Sequence, residues 1–189
     1  AMGAGPNGLL SGASYVVFGK ADGATVELSA VELNAGAVPT GFIIKGISED
    51  DSSGRSVSDA GDVNGDGLDD LIIGATGTDT NGSGSGSSFV VYGTSGGEAV
   101  ELSLVASSVG GFVINGVDAG DQSGRSVSGA GDVNGDGFAD LIVGAPLDGP
   151  NGNSYSGASF VVFGGNFTES VTHVGTSAAE TITGTTGDD

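Results

Sequence analysis

Apolar and polar residues alternate in short bursts along this chain, and no burst is long enough for a helix of ordinary length. Leu71-Ile72-Ile73 and Leu141-Ile142-Val143 are β-branched runs, and Phe89-Val90-Val91 and Phe160-Val161-Val162 are their aromatic-led counterparts. Continuous apolar runs of this length predict strands covered on both faces. Four strands are predicted per unit: one around Arg55–Gly61, a second over Asp70–Ala75, a third over Ser88–Gly93 and a fourth over Gly111–Gly116. Gly41–Ile47 is the fourth strand one unit earlier. Strand four is mixed, with Lys45 or Asn115 between apolar residues. That suits an outer edge, where a polar side chain blunts edge-to-edge association. A Gly/Ser loop, Thr76–Gly86, joins strands two and three, and a connection through Val100-Glu101-Leu102-Ser103 leads to strand four. The segments 30–35 and 103–108 read either as short helical turns or as irregular chain.

The units repeat. Arg55 and Arg125 lie 70 residues apart, as do Asp62 and Asp132, and Gly54–Gly74 matches Gly124–Gly144 except at positions 59, 68, 69 and 73. A third element occurs three times, at Gly12–Gly19, Gly86–Gly93 and Gly157–Gly164. Gly5-Pro6-Asn7-Gly8 mirrors Gly149-Pro150-Asn151-Gly152, so the chain opens partway through a unit. We divide it into a partial unit over 1–40, full units over 41–110 and 111–167, and a terminal strand or linker over 168–189. Four short antiparallel strands per unit, repeated, are the signature of propeller blades, and a ring needs four to eight of them. About two and a half units leave the ring incomplete, with open strand edges that favour assembly. Ala1-Met2-Gly3 reads as a cloning remnant.

Between strands one and two lies Asp62-Val63-Asn64-Gly65-Asp66-Gly67-Leu68-Asp69-Asp70, with its near-copy Asp132–Asp140. Oxygen-bearing side chains fall at positions 1, 3, 5 and 9. Hard cations such as calcium take six to eight oxygen ligands, and Gly at positions 4 and 6 lets the backbone close round one point. Position 8 is Asp69 or Ala139, so it is dispensable, and position 7 is Leu68 or Phe138, so only its carbonyl can bind. The expected ligands of two calcium ions are therefore Asp62, Asn64, Asp66, the Leu68 carbonyl and Asp70, and Asp132, Asn134, Asp136, the Phe138 carbonyl and Asp140. A helix-loop-helix calcium hand is excluded, since it needs Glu at position 12 and Ile73 or Val143 stands there. The alternative is a plain turn, which Asn, Asp and Gly also favour. Against it, unit charges ~4 Å apart repel by about 4 kcal/mol at an effective dielectric near 20.

Gly54-Arg55-Ser56-Val57-Ser58, the loop Asp62–Asp70, and Gly144-Ala145-Pro146 together resemble the FG-GAP repeats of integrin α-subunit propellers and their bacterial relatives, over roughly residues 41–165. The resemblance implies an all-β fold of FG-GAP propeller-type blades, calcium in the loop of each blade, and a role in adhesion or ligand binding. The aromatic-Gly pair that opens the motif is Ser53-Gly54 or Ser123-Gly124 here, so packing there differs. The tail 175–189 resembles the lead-in to RTX nonapeptide arrays, which would imply a secreted bacterial parent protein; it reads equally as a linker.

Charge and composition narrow the partners. The net charge is −20 and the basic residues are Lys20, Lys45, Arg55 and Arg125. Phosphate contacts need Lys and Arg, so nucleic acid is excluded and an anionic membrane disfavoured. No run of ~18 apolar residues suggests a membrane span. Cys is absent, and bound metal is another source of stability for a secreted or surface protein. Arg55 and Arg125 are expected to tie repeat elements together, with Asp51 and Asp121 as nearby carboxylates. His173 is the sole histidine, so a zinc site is not expected. Asn81-Gly82-Ser83 and Asn166-Phe167-Thr168 fit the glycosylation pattern, a coincidence expected in a Gly/Ser/Thr-rich chain. Repeats duplicate their residues whereas catalysis needs one unique constellation, so we expect no enzyme. The expected role is a calcium-stabilised structural or adhesive module, self-assembling or joined to neighbouring repeats. The alternative is a propeller domain that recognises a protein or glycan through loops such as Thr76–Gly86 and Pro146–Ser156.

Overall fold

The computed structural model describes residues 1, 3, 5–33, 39–149 and 155–166. In chain order the elements are β1 (Ala13–Val17), α1 (Leu28–Glu32), β2 (Gly41–Lys45), β3 (Ser53–Gly61), β4 (Asp70–Ala75), β5 (Ser87–Val91), β6 (Val100–Glu101), α2 (Leu102–Val105), β7 (Gly111–Asn115), β8 (Ser126–Gly131), β9 (Asp140–Ala145) and β10 (Ala158–Val162). They form three sheets, ordered β1-β2-β6, β3-β4-β5-β7 and β10-β9-β8. The middle sheet is one complete blade of four antiparallel strands. The first sheet supplies strands three and four of a blade and the last supplies strands one to three. The described residues close no ring. The sheet and the sequence period are offset by one strand, because β7 completes the sheet begun by β3.

The apolar runs of β4 and β5 are covered on both faces, as their patterning predicts, but those of β9 and β10 are not, since Ile142, Phe160 and Val161 are exposed where no further sheet stands among the described residues. Alternate residues of a strand point to opposite faces. Ile73, Phe89 and Val91 therefore pack with Phe42 and Ile44 between the first and second sheets, while Ile72 and Val90 pack with Leu141, Val143 and Val162 between the second and third. The sheets also abut through backbone. Isolated parallel bridges join Gly12 to Ser53 and Gly86 to Ser123, so the entry to strand three of one blade touches the start of strand one of the next. A β-carbon on Gly74 would run into the Gly124 carbonyl, to which Ser56 Oγ donates at 2.8 Å. Ser53 and Ser123, which replace the motif's aromatic, are buried in these bridges.

The segments 30–35 and 103–108, read as helical turn or irregular chain, are overlapped at their starts by α1 and α2, each about one turn. Leu102 and Val105 of α2 are buried, in the cluster between the first two sheets. The edge role read for strand four holds in only one sheet. β7 pairs with β5 alone, but β2 is flanked by β1 and by β6, which adds in parallel through Ile44–Val100 and Lys45–Glu101. Lys45 Nζ bonds Glu101 Oε1 at 2.8 Å, and Asn7 Nδ2 donates to Glu101 Oε2 at 3.1 Å. The Lys45 hydrogen bond holds Glu101 below its ordinary pKa. Lys45 therefore fastens an added strand rather than guarding a bare edge.

Candidate metal centre

Each acidic loop bridges strands one and two of a blade, Asp62–Asp70 between β3 and β4 and Asp132–Asp140 between β8 and β9. Gly65 and Gly67 have φ of 78° and 88°, and Gly135 and Gly137 have 81° and 94°. These left-handed residues turn successive amides inward. Asp62 Oδ1 accepts from Gly65 N at 2.7 Å and Asp66 N at 3.1 Å, and its Oδ2 from Gly67 N at 2.8 Å. Asp132 repeats this with Gly135, Asp136 and Gly137 at 2.7, 3.1 and 2.9 Å. Asn64 Oδ1 accepts from Asp66 N at 2.8 Å, and Asn64 Nδ2 donates to Asp66 Oδ2 at 3.0 Å. Asn134 and Asp136 do the same at 3.0 and 2.7 Å. Asp66 Oδ1 accepts from Leu68 N, and Asp136 Oδ1 from Phe138 N. Asp62, Asn64 and Asp66 are thus gathered at one exposed loop, and Asp132, Asn134 and Asp136 at the other.

Asp70 and Asp140 are fully buried, and each carboxylate accepts two backbone amides. Asp70 Oδ2 accepts from Val63 N at 3.0 Å and Oδ1 from Gly93 N at 2.7 Å. Asp140 accepts from Val133 N at 2.7 Å and Gly164 N at 2.9 Å. Position 9 therefore fastens the second residue of the loop to the end of strand three. Burial pushes the Asp70 carboxyl above its ordinary pKa, the amides of Gly93 and Val63 pull it back, and the charges of Asp66 and Asp62 push it further up. The phenol of Tyr92 is pushed up to about 12, first by burial and then by the charges of Asp70 and Asp66. Gly93 is the residue that sequence reasoning passed over. The aromatic-Gly ending common to Phe18-Gly19, Tyr92-Gly93 and Phe163-Gly164 was its signal, because a β-carbon on Gly93 would meet the Asp69 carbonyl at 2.6 Å.

The two loops are neighbours. A β-carbon on Gly65 would meet the ring of Phe138, and one on Gly61 would meet Ala139. Gly165 N also donates to the Val63 carbonyl at 2.9 Å. The second loop therefore braces the first.

The donor set suits a hard cation. Each loop offers only oxygen, from two aspartates and an asparagine, and each ionised carboxylate has about four acceptor positions, of which Asp62 uses three and Asp66 two. Among the described residues no three acidic or histidine side chains converge as a ready metal site.

Other residues singled out from the sequence fall into structural roles. Arg125 Nη1 donates to Gln122 Oε1 at 3.1 Å. The Asp121 carboxylate accepts from Asp118 N at 2.8 Å, and Asp51 from Ser48 N at 2.8 Å, so both close the turn after strand four. Asn81 Nδ2 donates to the Gly116 carbonyl at 2.7 Å, as Asn7 Nδ2 does to Gly46 at 2.7 Å. This ties the Thr76–Gly86 loop to the end of strand four and occupies the nitrogen that a glycan would need. His173, residues 167–168 of the second acceptor pattern, residues 150–154 of the Pro146–Ser156 loop and the tail 168–189 lie outside the described residues.

Stacked sheets of three and four mostly antiparallel strands, the second and third each with an acidic loop between strands one and two, are the architecture of β-propeller-type blades. The FG-GAP repeat family model matches residues 54–91 and again residues 123–162, so these two stretches are similar to FG-GAP repeats, which occur in extracellular and surface proteins. No curated protein matches the chain.

Proposed function

We propose that this chain is a calcium-stabilised structural or adhesive module of an extracellular protein, without catalytic activity, in which each acidic loop takes one calcium ion. The observation that carries this reading is the pair of matching loop networks, each gathering two aspartates and an asparagine on a backbone turned by left-handed glycines. Asp62, Asn64, Asp66, the Leu68 carbonyl and Asp70 would hold one ion, and Asp132, Asn134, Asp136, the Phe138 carbonyl and Asp140 the other. Bound calcium supplies positive charge that offsets part of the −20 net charge. The chain's own residues do the rest. Asp70 and Asp140 lock each loop to strand three, and Phe138 against Gly65 passes the ordering of one loop to the other. A stiff, repeated scaffold is what an adhesive module needs.

Thermal melting tests this. A site at 100-fold saturation adds about 2.7 kcal/mol, and 1 kcal/mol moves the midpoint of a domain this size by about 2–4 °C. Calcium should therefore raise the midpoint by about 5 °C or more over the chelated chain. Terbium should light up through Tyr92, which lies close enough to the first loop to feel its charge. An unchanged midpoint together with dark terbium would overturn the reading.

A further inference from the structure

Strand three is flanked by strand two in the second and third sheets, where β4 borders β5 and β9 borders β10. At β1 that flank holds a single residue among the described ones. The Ala1 amine donates to the Ala13 carbonyl at 2.8 Å, and the Ala13 amide to the Ala1 carbonyl at 3.2 Å. In the other sheets Ala75 faces Ser87 and Ala145 faces Ala158. Ala1 therefore stands where the last residue of a strand two stands. Phe18 N bonds Thr40 O on the β2 side, so the pleat leaves the amides of Tyr15 and Val17 on the open side.

Below this edge runs a groove of about 490 Å³, lined by Tyr15, Val16, Val57, Leu71 and Ile73 among others. Its floor is the same surface that is covered one blade later. Val57 is 60% exposed, whereas Val127, the same residue in the same strand position, packs into the cluster between the second and third sheets. Leu71 is partly exposed while its counterpart Leu141 is 1% exposed. The difference is that β3 and β4 of the blade before stand beside β8, whereas among the described residues no strand one or two of a preceding blade stands beside β3.

We propose that this edge and groove receive a strand–loop–strand hairpin of the repeat's own kind, with the sequence pattern of residues 53–74, from a further repeat outside these 189 residues. Its second strand would add to β1 through backbone hydrogen bonds, as edge strands do when they capture an extended segment. Its first strand would cover Val57. The groove continues the apolar cluster already buried between the first two sheets, so the incoming residues facing Leu71 and Ile73 are the counterparts of Ala60, Val63 and Ile72, which face Leu141 and Val143 one blade later. A hairpin meets both demands, the row of open amides and the apolar floor.

The test is a chain with residues 53–74 copied directly in front of Ala1, which recreates the Gly74–Ala75 junction. Amide hydrogen exchange is read at Tyr15 and Val17, in calcium and in chelator, so that the outcome is separate from metal binding. We expect exchange there to slow about 100-fold or more, as for amides moved from an open edge into a sheet. The peptide 53–74 added in trans should shift the same amides, and Val57→Asp, at an exposed site that leaves the fold intact, should abolish that shift. Unchanged exchange with both graft and peptide would overturn the proposal. So would undiminished peptide binding by Val57→Asp, or protection of Tyr15 and Val17 by dimerisation of the unextended chain in light scattering.

Discussion

Val63 and Val133 occupy the same position in the same Asp-Val-Asn-Gly-Asp-Gly sequence, yet Val63 is 0% exposed and Val133 is 56% exposed. Truncating each to alanine isolates what blade stacking contributes. The backbone bonds of Val63, its amide to Asp70 and its carbonyl from Gly165, survive the change, so only packing is lost. Removing two carbons from a buried site forfeits about 1.6 kcal/mol of transfer energy at ~0.8 per methylene. The cavity left among Ala60, Ile72 and Val162 brings the total to about 2–3 kcal/mol, in line with the cost of core truncations. Val133→Ala should stay within about 0.5 kcal/mol, as exposed substitutions do. Urea unfolding at fixed calcium is the assay. With a slope of about 2 kcal/mol/M, Val63→Ala should lower the midpoint by about 1 M or slightly more at unchanged slope, and Val133→Ala should scarcely move it. Equal losses for the two variants would refute the stacking that buries one copy and leaves the other bare.

Two further outcomes follow from the site. Asp70→Asn offers one acceptor to the two amides of Val63 and Gly93, so one amide meets an NH₂ group; the cost should be about 1–3 kcal/mol, measured by unfolding in chelator, where no metal contributes. No loss there would mean that Asp70 is not the fastener described. The folded pKa of Tyr92, about 12, lies above the ordinary value of ~10. The unfolded chain ionises first, so stability should be complete below pH ~10 and fall as pH rises towards ~12, by about 2–3 kcal/mol in all. Tyr92→Phe should flatten that slope, and a slope that persists in the variant would assign the alkaline loss to other groups.

Much of this architecture is local in origin and could be read along the chain. The apolar runs place β4, β5, β9 and β10, because short β-branched and aromatic runs favour strands, although only β4 and β5 are buried on both faces. The 70-residue period announces repetition, and the Gly-rich acidic loops announce tight turns crowded with oxygen. What the tertiary structure decided depends on partners distant in the chain. Val100–Glu101 carries too little pattern to be recognised as a strand and exists as β6 only because β2 accepts it. Asp70 looks like any other loop aspartate until Gly93 arrives, 23 residues later, to take one of its oxygens. Phe138 differs from Leu68 in sequence without explanation, but its ring rests on the neighbouring loop at Gly65. Identical valines at 63 and 133 differ wholly in burial, because burial belongs to the next blade and not to the residue.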